Sequence, residues 1–314
     1  MVGNVQKKNS RLFKRSQLQA TDIYLTTADK TFHCVNNIIV AILLLVVLLP
    51  LINVVASSFS SASAVNSGRV LLWPVEPSVI GYEKVFTYPG IWLSYGNTLF
   101  YTVAGTAINI VMTLLAAYPL SRRDLPFKGP LMFLFTFTMM FGGGMIPTYL
   151  GMKQIGVVNT VWAMLLPGAL SIYNMIIART FLQNIPDELF EAAHLDGCSD
   201  AKYFTMIALP LSGTMISVLT LYYAVGHWNA YFNAFLYLND RRMMPLQILL
   251  REVLLSTQIS ADAIVDGDTA AALAGMSDLL KYSLIVVASA PILCLYPFLQ
   301  KYFVQGVMIG SLKG

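Results

Sequence analysis

Six stretches of this sequence contain no Asp, Glu, Lys or Arg: residues 31–68, 85–121, 129–152, 154–178, 203–239 and 282–300. Each can hold a helix of about 20 residues, the length that crosses about 30 Å of hydrocarbon. Only 11% of the residues are charged and 56% are hydrophobic, against about 25% charged in a soluble domain. The runs are near-continuously apolar and lack the alternation of a membrane barrel, so helices are expected. The span cores are Ile38–Ala56, Leu99–Leu120, Leu131–Leu150, Val161–Phe181, Ile207–Ala224 and Leu284–Leu299. The fold class is all-α integral membrane, with six transmembrane helices.

Lys and Arg set the orientation. With both termini in the cytoplasm, 13 basic residues fall inside and 7 outside. Arg122, Arg123 and Lys128 pin the connection between spans two and three on the inner side. The basic amino terminus (Lys7 to Arg15) reads as a topogenic tail near anionic lipid, not as a nucleic-acid surface. It is not a cleaved signal peptide, because the first apolar run is too long for one. Cys34, Cys198 and Cys294 suggest neither a disulfide framework nor a metal site.

The chain reads as a basic cytoplasmic segment (1–36), a six-helix domain (37–306) and a cytoplasmic tail (307–314). External excursions cover 57–94 and 228–278. The first carries an extended Trp73–Pro77 stretch and a helical turn or two from Gly81 to Phe86. In the second, Leu246, Leu249, Leu250, Val253 and Leu254 recur at helical spacing opposite Arg251 and Glu252, an amphipathic helix at the outer surface. Residues 260–275 read as a loop. Gly142-Gly-Gly144 with Pro147 is expected to weaken or break span three, through packing or for the solute pathway.

What is missing narrows the class. Arg179 is the only charged residue inside a span core, near the cytoplasmic end of span four, where it can snorkel. Ion-coupled carriers place carboxylates or cations within the membrane, so a secondary transporter is disfavoured. No G-x-x-x-x-G-K-[ST] loop is present to hold phosphates. No H-E-x-x-H or G-x-S-x-G occurs, and His33, His194 and His227 are too scattered for a metal site. No catalytic and no metal residues are expected, and the chain is not an enzyme. It reads as a transport path driven from elsewhere.

Between spans four and five lies Glu191-Ala-Ala-His-Leu-Asp-Gly197, followed by Ile207-Ala-Leu-Pro210. Asp187 to Lys202 is expected to form two short helices joined at Gly197. Pro186 suits a helix start, and Asp187 and Glu188 sit where the macrodipole favours acids. Ala192 and Ala193 let a partner surface approach the backbone, Gly197 permits a sharp turn, and Glu191 and Asp196 offer charged anchors. Leu209-Pro210 marks re-entry into the membrane.

This spacing resembles the EAA loop of ATP-binding-cassette (ABC) importer permeases. The likeness extends through Asn97-Thr-Leu, Ala116–Arg122, Gly142–Tyr149, Ile185–Leu189, Gly226-His-Trp-Asn229, Pro245-Leu-Gln247 and Gly310–Gly314. The chain is similar to the carbohydrate-type, maltose-permease-like group, in its LplC/YtcP-like branch. The resemblance implies a MetI-like, type I permease fold in a bacterial cell membrane and import of oligosaccharides or complex glycan fragments. It implies a second homologous permease forming a heterodimer, two ATPase subunits that bind ATP and Mg, an extracellular sugar-binding protein, and no cofactor on this chain. It makes residues 186–204 a coupling loop for the ATPase, with Glu191, Ala192, Ala193, Asp196, Gly197, Leu209 and Pro210 as its marks. Gly310 to Gly314 is a candidate ATPase contact. His194 departs from the apolar residue expected there.

Sugars are held by aromatic faces and hydroxyl-matching polar groups. Asn97, Tyr101 and Asn109 in span two, Tyr173 and Asn174 in span four, and Tyr222 and Tyr223 in span five are candidates for the pathway. Each also suits a helix–helix hydrogen bond or an interfacial aromatic. Trp228 reads as an interfacial or binding-protein contact. An amino-acid or peptide permease and a stand-alone channel or scaffold are the other readings.

Overall fold

The computed structural model describes residues 26–263 and 276–294, and these are helical with no strand. The expected tail 307–314, residues 1–25, the stretch 264–275 and the end of the sixth expected span lie outside the described residues. The described chain separates into two compact units between Val54 and Val55.

The first unit is carried by α1 (Thr27–Ser58). It starts ahead of its apolar run because Thr26 and Asp29 form a capping box. The Asp29 amide donates to Thr26 Oγ1 at 3.2 Å, and the Thr26 amide donates back to the Asp29 carboxylate at 2.9 Å. Its apolar side chains, Ile38 to Leu51 among them, are exposed, as a lipid-facing helix requires.

In the second unit, α2 (Ala62–Asn66) and α3 (Ile80–Phe86) lead into α4 (Ile91–Ser121). Next come α5 (Lys128–Met140), α6 (Met145–Gln154), α7 (Trp162–Leu165) and α8 (Ile172–Gln183). A pair of short helices, α9 (Asp187–Leu195) and α10 (Asp200–Tyr203), is followed by a wide π-helical turn (Phe204–Ala208) and α11 (Leu209–Leu211). The unit continues with α12 (Gly213–Trp228), α13 (Phe232–Tyr237), α14 (Leu246–Ala263) and α15 (Met276–Cys294).

Helix α4 is the axis. Its first turn packs with Leu246, Leu249 and Leu284, its middle with Met164, Tyr237 and Ile248, and its last turns with Met175, Leu182 and Leu219. Its amphipathicity is inverted. Leu99, Phe100, Val103, Val111 and Leu115 face outward, whereas Thr98, Thr102, Thr106, Asn109 and Thr113 are buried. In lipid, apolar side chains gain nothing by hiding, so helices pack through small and hydrogen-bonding residues.

Among the described residues, helices α1, α4 and α15 are each long and apolar enough to cross a bilayer, and counting each of two bent pairs as one span brings the number to five. One pair is α5–α6, bent by 113° at the expected triple-glycine break. The other bends by 78° at Ser212. There Pro210 removes one backbone donor, and Ser212 Oγ returns 2.7 Å to the Ala208 carbonyl, a back-bond that bends helices. The fourth expected span, Val161–Phe181, is not one helix. α7 ends before Pro167, whose ring excludes the continuing helix, and Gly168 takes a left-handed φ of 77°.

Two further expectations are corrected. Trp228 is 3% exposed and donates through Nε1 to the Ala288 carbonyl at 2.9 Å, so it is an internal strut, not an interfacial aromatic. The apolar face of α14 is covered by Val85, Ile91 and Leu284 instead of lying on a surface, and the helix runs to Ala263, past the expected loop start at residue 260.

Candidate functional site

Two regions of the second unit carry the chemistry, and α4 joins them. The first lies at its carboxy-terminal end. The last carbonyls of a helix have no partner within it, and here three side chains supply donors. Arg179 Nε donates to Leu120 O at 3.0 Å, Lys128 Nζ to Arg122 O at 2.6 Å, and Gln183 Nε2 to Ser121 O at 3.4 Å. Cations at this end also suit the helix dipole. Arg179 is therefore tied through Nε to the end of the neighbouring helix. Arg122, Arg123 and Lys128, which the sequence offers as topogenic charges, take part in the same junction.

The α9–α10 pair sits on that junction. The Arg122 guanidinium lies 3.4 Å above the Phe190 ring centroid, Arg123 pairs with Asp187 at 3.4 Å, and Phe190 meets Tyr203 edge-on at 5.0 Å. Tyr118 packs against Phe204 at 4.6 Å and reaches the Asp200 carbonyl at 3.4 Å. Between these parts is a polar cavity of about 280 Å³, lined by Tyr118, Arg122, Gln183 and Tyr203.

The pair itself is built locally. Pro186 precedes α9, two acids fill its first turn, and Gly197 turns the chain with φ 78°. Ser199 caps α10 by accepting from the Lys202 amide at 3.4 Å. Of the residues marked in this loop, Ala193 and Leu209 turn inward. Ala193 is buried among Leu120, Leu182 and Tyr203, and Leu209 packs against that core. Glu191, Ala192, Asp196, Gly197 and Pro210 are exposed, and Leu195 stands 89% exposed beside them. His194 stacks on Phe190 at 4.5 Å and lies 3.9 Å from Asp200.

The second region is the buried polar seam of α4. Asn97 Nδ2 donates to the Arg242 and Met244 carbonyls at 2.7 and 3.1 Å. Tyr101 donates to Met243 O at 2.8 Å, and Tyr223 OH meets Thr113 Oγ1 at 2.7 Å. Asn109 Nδ2 donates to Gly168 O at 2.7 Å and Ala169 O at 2.9 Å, the carbonyls freed where the fourth span breaks. Its Oδ1 must then accept, so His227 Nε2, 2.6 Å away, carries the proton. These four candidates direct these hydrogen bonds to neighbouring helices and loops. Asn174 is buried, whereas Tyr173 and Tyr222 are 60% and 47% exposed.

An open cavity of about 210 Å³ lies beside this seam, between Asn109, Gly168, Tyr222, Tyr223, His227 and Asn233. Sequence reasoning missed His227 and Asn233. The signal for His227 was an ionisable residue inside an otherwise charge-free interval. Among the described residues, no group of three or more His, Cys, Asp or Glu side chains is placed to hold a metal.

A helical membrane bundle, bent within its spans and bearing an exposed charged helix pair keyed to its axial helix, defines a transport permease driven from outside the chain. The comparisons place it further. It is 42% identical over 273 residues to the polygalacturonan/rhamnogalacturonan transport system permease protein YtcP of Bacillus subtilis (strain 168), covering 86% of this chain and 94% of that protein. It is 39% identical over 289 residues to Protein LplC of the same organism, covering 92% and 97%. A crystal structure of a bacterial ABC transporter that imports the acidic polysaccharide alginate contains a chain matching at TM-score 0.80 and 32% identity, covering 89% of this chain and 99% of that one. No protein-family model matches the sequence. The chain belongs to the permease subunits of carbohydrate-type ABC importers. It is a membrane transport subunit and not an enzyme.

Proposed function

We propose that this chain forms half of the translocation pathway of an importer for acidic oligosaccharides, glycan fragments bearing uronate units. Two relatives, one named for polygalacturonan and rhamnogalacturonan and one described for alginate, support that cargo. In this reading a second, homologous permease completes the pathway as a heterodimer. Two ATPase subunits bind ATP and Mg, and an extracellular binding protein delivers the sugar. The basic-residue balance, 13 against 7, supports an orientation with both termini and the α9–α10 pair in the cytoplasm.

The observation that carries the mechanism is that α9 is fastened to the end of the helix that bears the polar seam. Glu191, Ala192, Leu195 and Asp196 offer the ATPase an exposed face, while Phe190 and Ala193 face the core. When the ATPases close, a push on α9 reaches α4 through Arg122, Phe190 and Tyr203 as a rigid-body shift. That shift opens or closes the path between the two permeases.

The test is uptake of labelled oligosaccharide by cells carrying Glu191→Lys or Gly197→Asp. Both should lose uptake while the permease still reaches the membrane. Gly197→Asp has open space around its new Cβ, so its cost is backbone strain at a turn. Uptake at the wild-type rate in both variants would contradict the coupling role.

A further inference from the structure

The cavity beside Asn109 and His227 exposes polar groups near the middle of α4. It opens where the fourth span breaks at Pro167-Gly168, so backbone that a continuous helix would hide lies beside it. Irregular backbone at membrane depth is tolerated where it lines a cavity. Its walls are set by a fixed frame: Asn109 holds both freed carbonyls, and His227 holds Asn109. His227 in turn lies against Gly105, where any Cβ would overlap its ring. A preorganised wall of this kind lowers the ordering cost of binding.

The lining has the parts a sugar needs. Tyr222 presents a half-exposed ring, and Asn233 contributes an amide to the lining. The volume of about 210 Å³ suits one pyranose unit and not a long glycan. The charge pattern is distinctive. None of the lining residues is Asp, Glu, Lys or Arg. Carboxylates act only as acceptors and serve neutral sugars well by gripping paired hydroxyls, but they repel a uronate. Amides and phenols offer donors without that repulsion.

We infer that this cavity is a subsite for one uronosyl unit of the transported oligosaccharide, with Tyr222 against the ring and Asn233 donating to its carboxylate or hydroxyls. The inference rests on the acidic-glycan reading above. It gives this chain its own part in cargo selection, separate from the coupling loop.

The test compares two probes with one skeleton, trigalacturonate and its fully methyl-esterified form. Uptake is measured in vesicles containing the complete transporter and its binding protein, and each variant is scored against wild type for each probe. Asn233→Asp removes the amide donor for both probes but repels only the acid, so it should lower the acid-to-ester uptake ratio about tenfold. Asn233→Lys should shift the acid-to-ester ratio the opposite way, and it decides the matter alone if the Asp variant transports neither probe. Equal ratios in the Asp and Lys variants would overturn the subsite while leaving the cargo reading intact. A wild-type transporter that imports neither probe would overturn the cargo reading and the subsite with it.

Discussion

Asn109 does what a solvent molecule would do in a soluble protein: it satisfies two carbonyls exposed by a helix break. In hydrocarbon each orphan would cost several kcal/mol, so the side chain and the break belong together. Its contacts lie 59 and 60 residues along the chain, and His227 lies 118 away, which is why the sequence offers the residue but not its role. Gly105 is the matching small residue on α4. Gly105→Ala would overlap the His227 ring and should cost about 1–3 kcal/mol, the usual range for overpacking. The check is the thermal unfolding midpoint of the detergent-solubilised protein, which should fall. An unchanged midpoint would mean that α4 and α12 can part freely there.

At the scale of elements, helix ends were legible where local chemistry decides them. The α9–α10 pair follows from Pro186, its first-turn acids and Gly197, and the α5–α6 break follows from three glycines. The interruption of the fourth expected span is the work of Pro167-Gly168, a local signal that a continuous apolar run masks. The fate of α14 was not legible, since an amphipathic stripe fits a neighbouring helix as well as a membrane surface. The loop around α2 is held by a polar clasp: Ser61 and Ser63 donate to the Glu76 carboxylate at 2.6 and 3.2 Å, and Arg69 pairs with it at 3.2 Å. The two serine hydrogen bonds, followed by Arg69, hold Glu76 below its usual value of 4.5. A depressed native value means that the clasp contributes fully above the usual glutamate range and is lost as pH falls through the lower native value. Hydrogen exchange of residues 61–69 should therefore be slower in wild type than in Glu76→Gln at neutral pH, with the difference vanishing in acid. A pH-independent difference would show that the charge is irrelevant to the loop.

At the scale of the whole molecule, one helix takes part in three of the four hydrophobic clusters of the second unit's described residues and in both candidate regions. α4 meets the α9–α10 pair at its carboxy terminus, the Asn109–His227 cavity near its middle and α14 at its amino terminus. The family was legible in the sequence through the resemblance that its motifs carry, and the exposed α9–α10 pair was legible through Pro186, the first-turn acids and Gly197. The connection between drive and path was not, because Arg122 on Phe190 and Tyr118 on Phe204 are tertiary contacts. That connection is the central claim, and the ratio of sugar moved to ATP hydrolysed by the reconstituted transporter tests it most directly in Arg122→Ala. The account predicts that ATP hydrolysis persists while the ratio falls at least about tenfold, the mark of a transmission loss of roughly 1.4 kcal/mol or more. A wild-type ratio in that variant would contradict it.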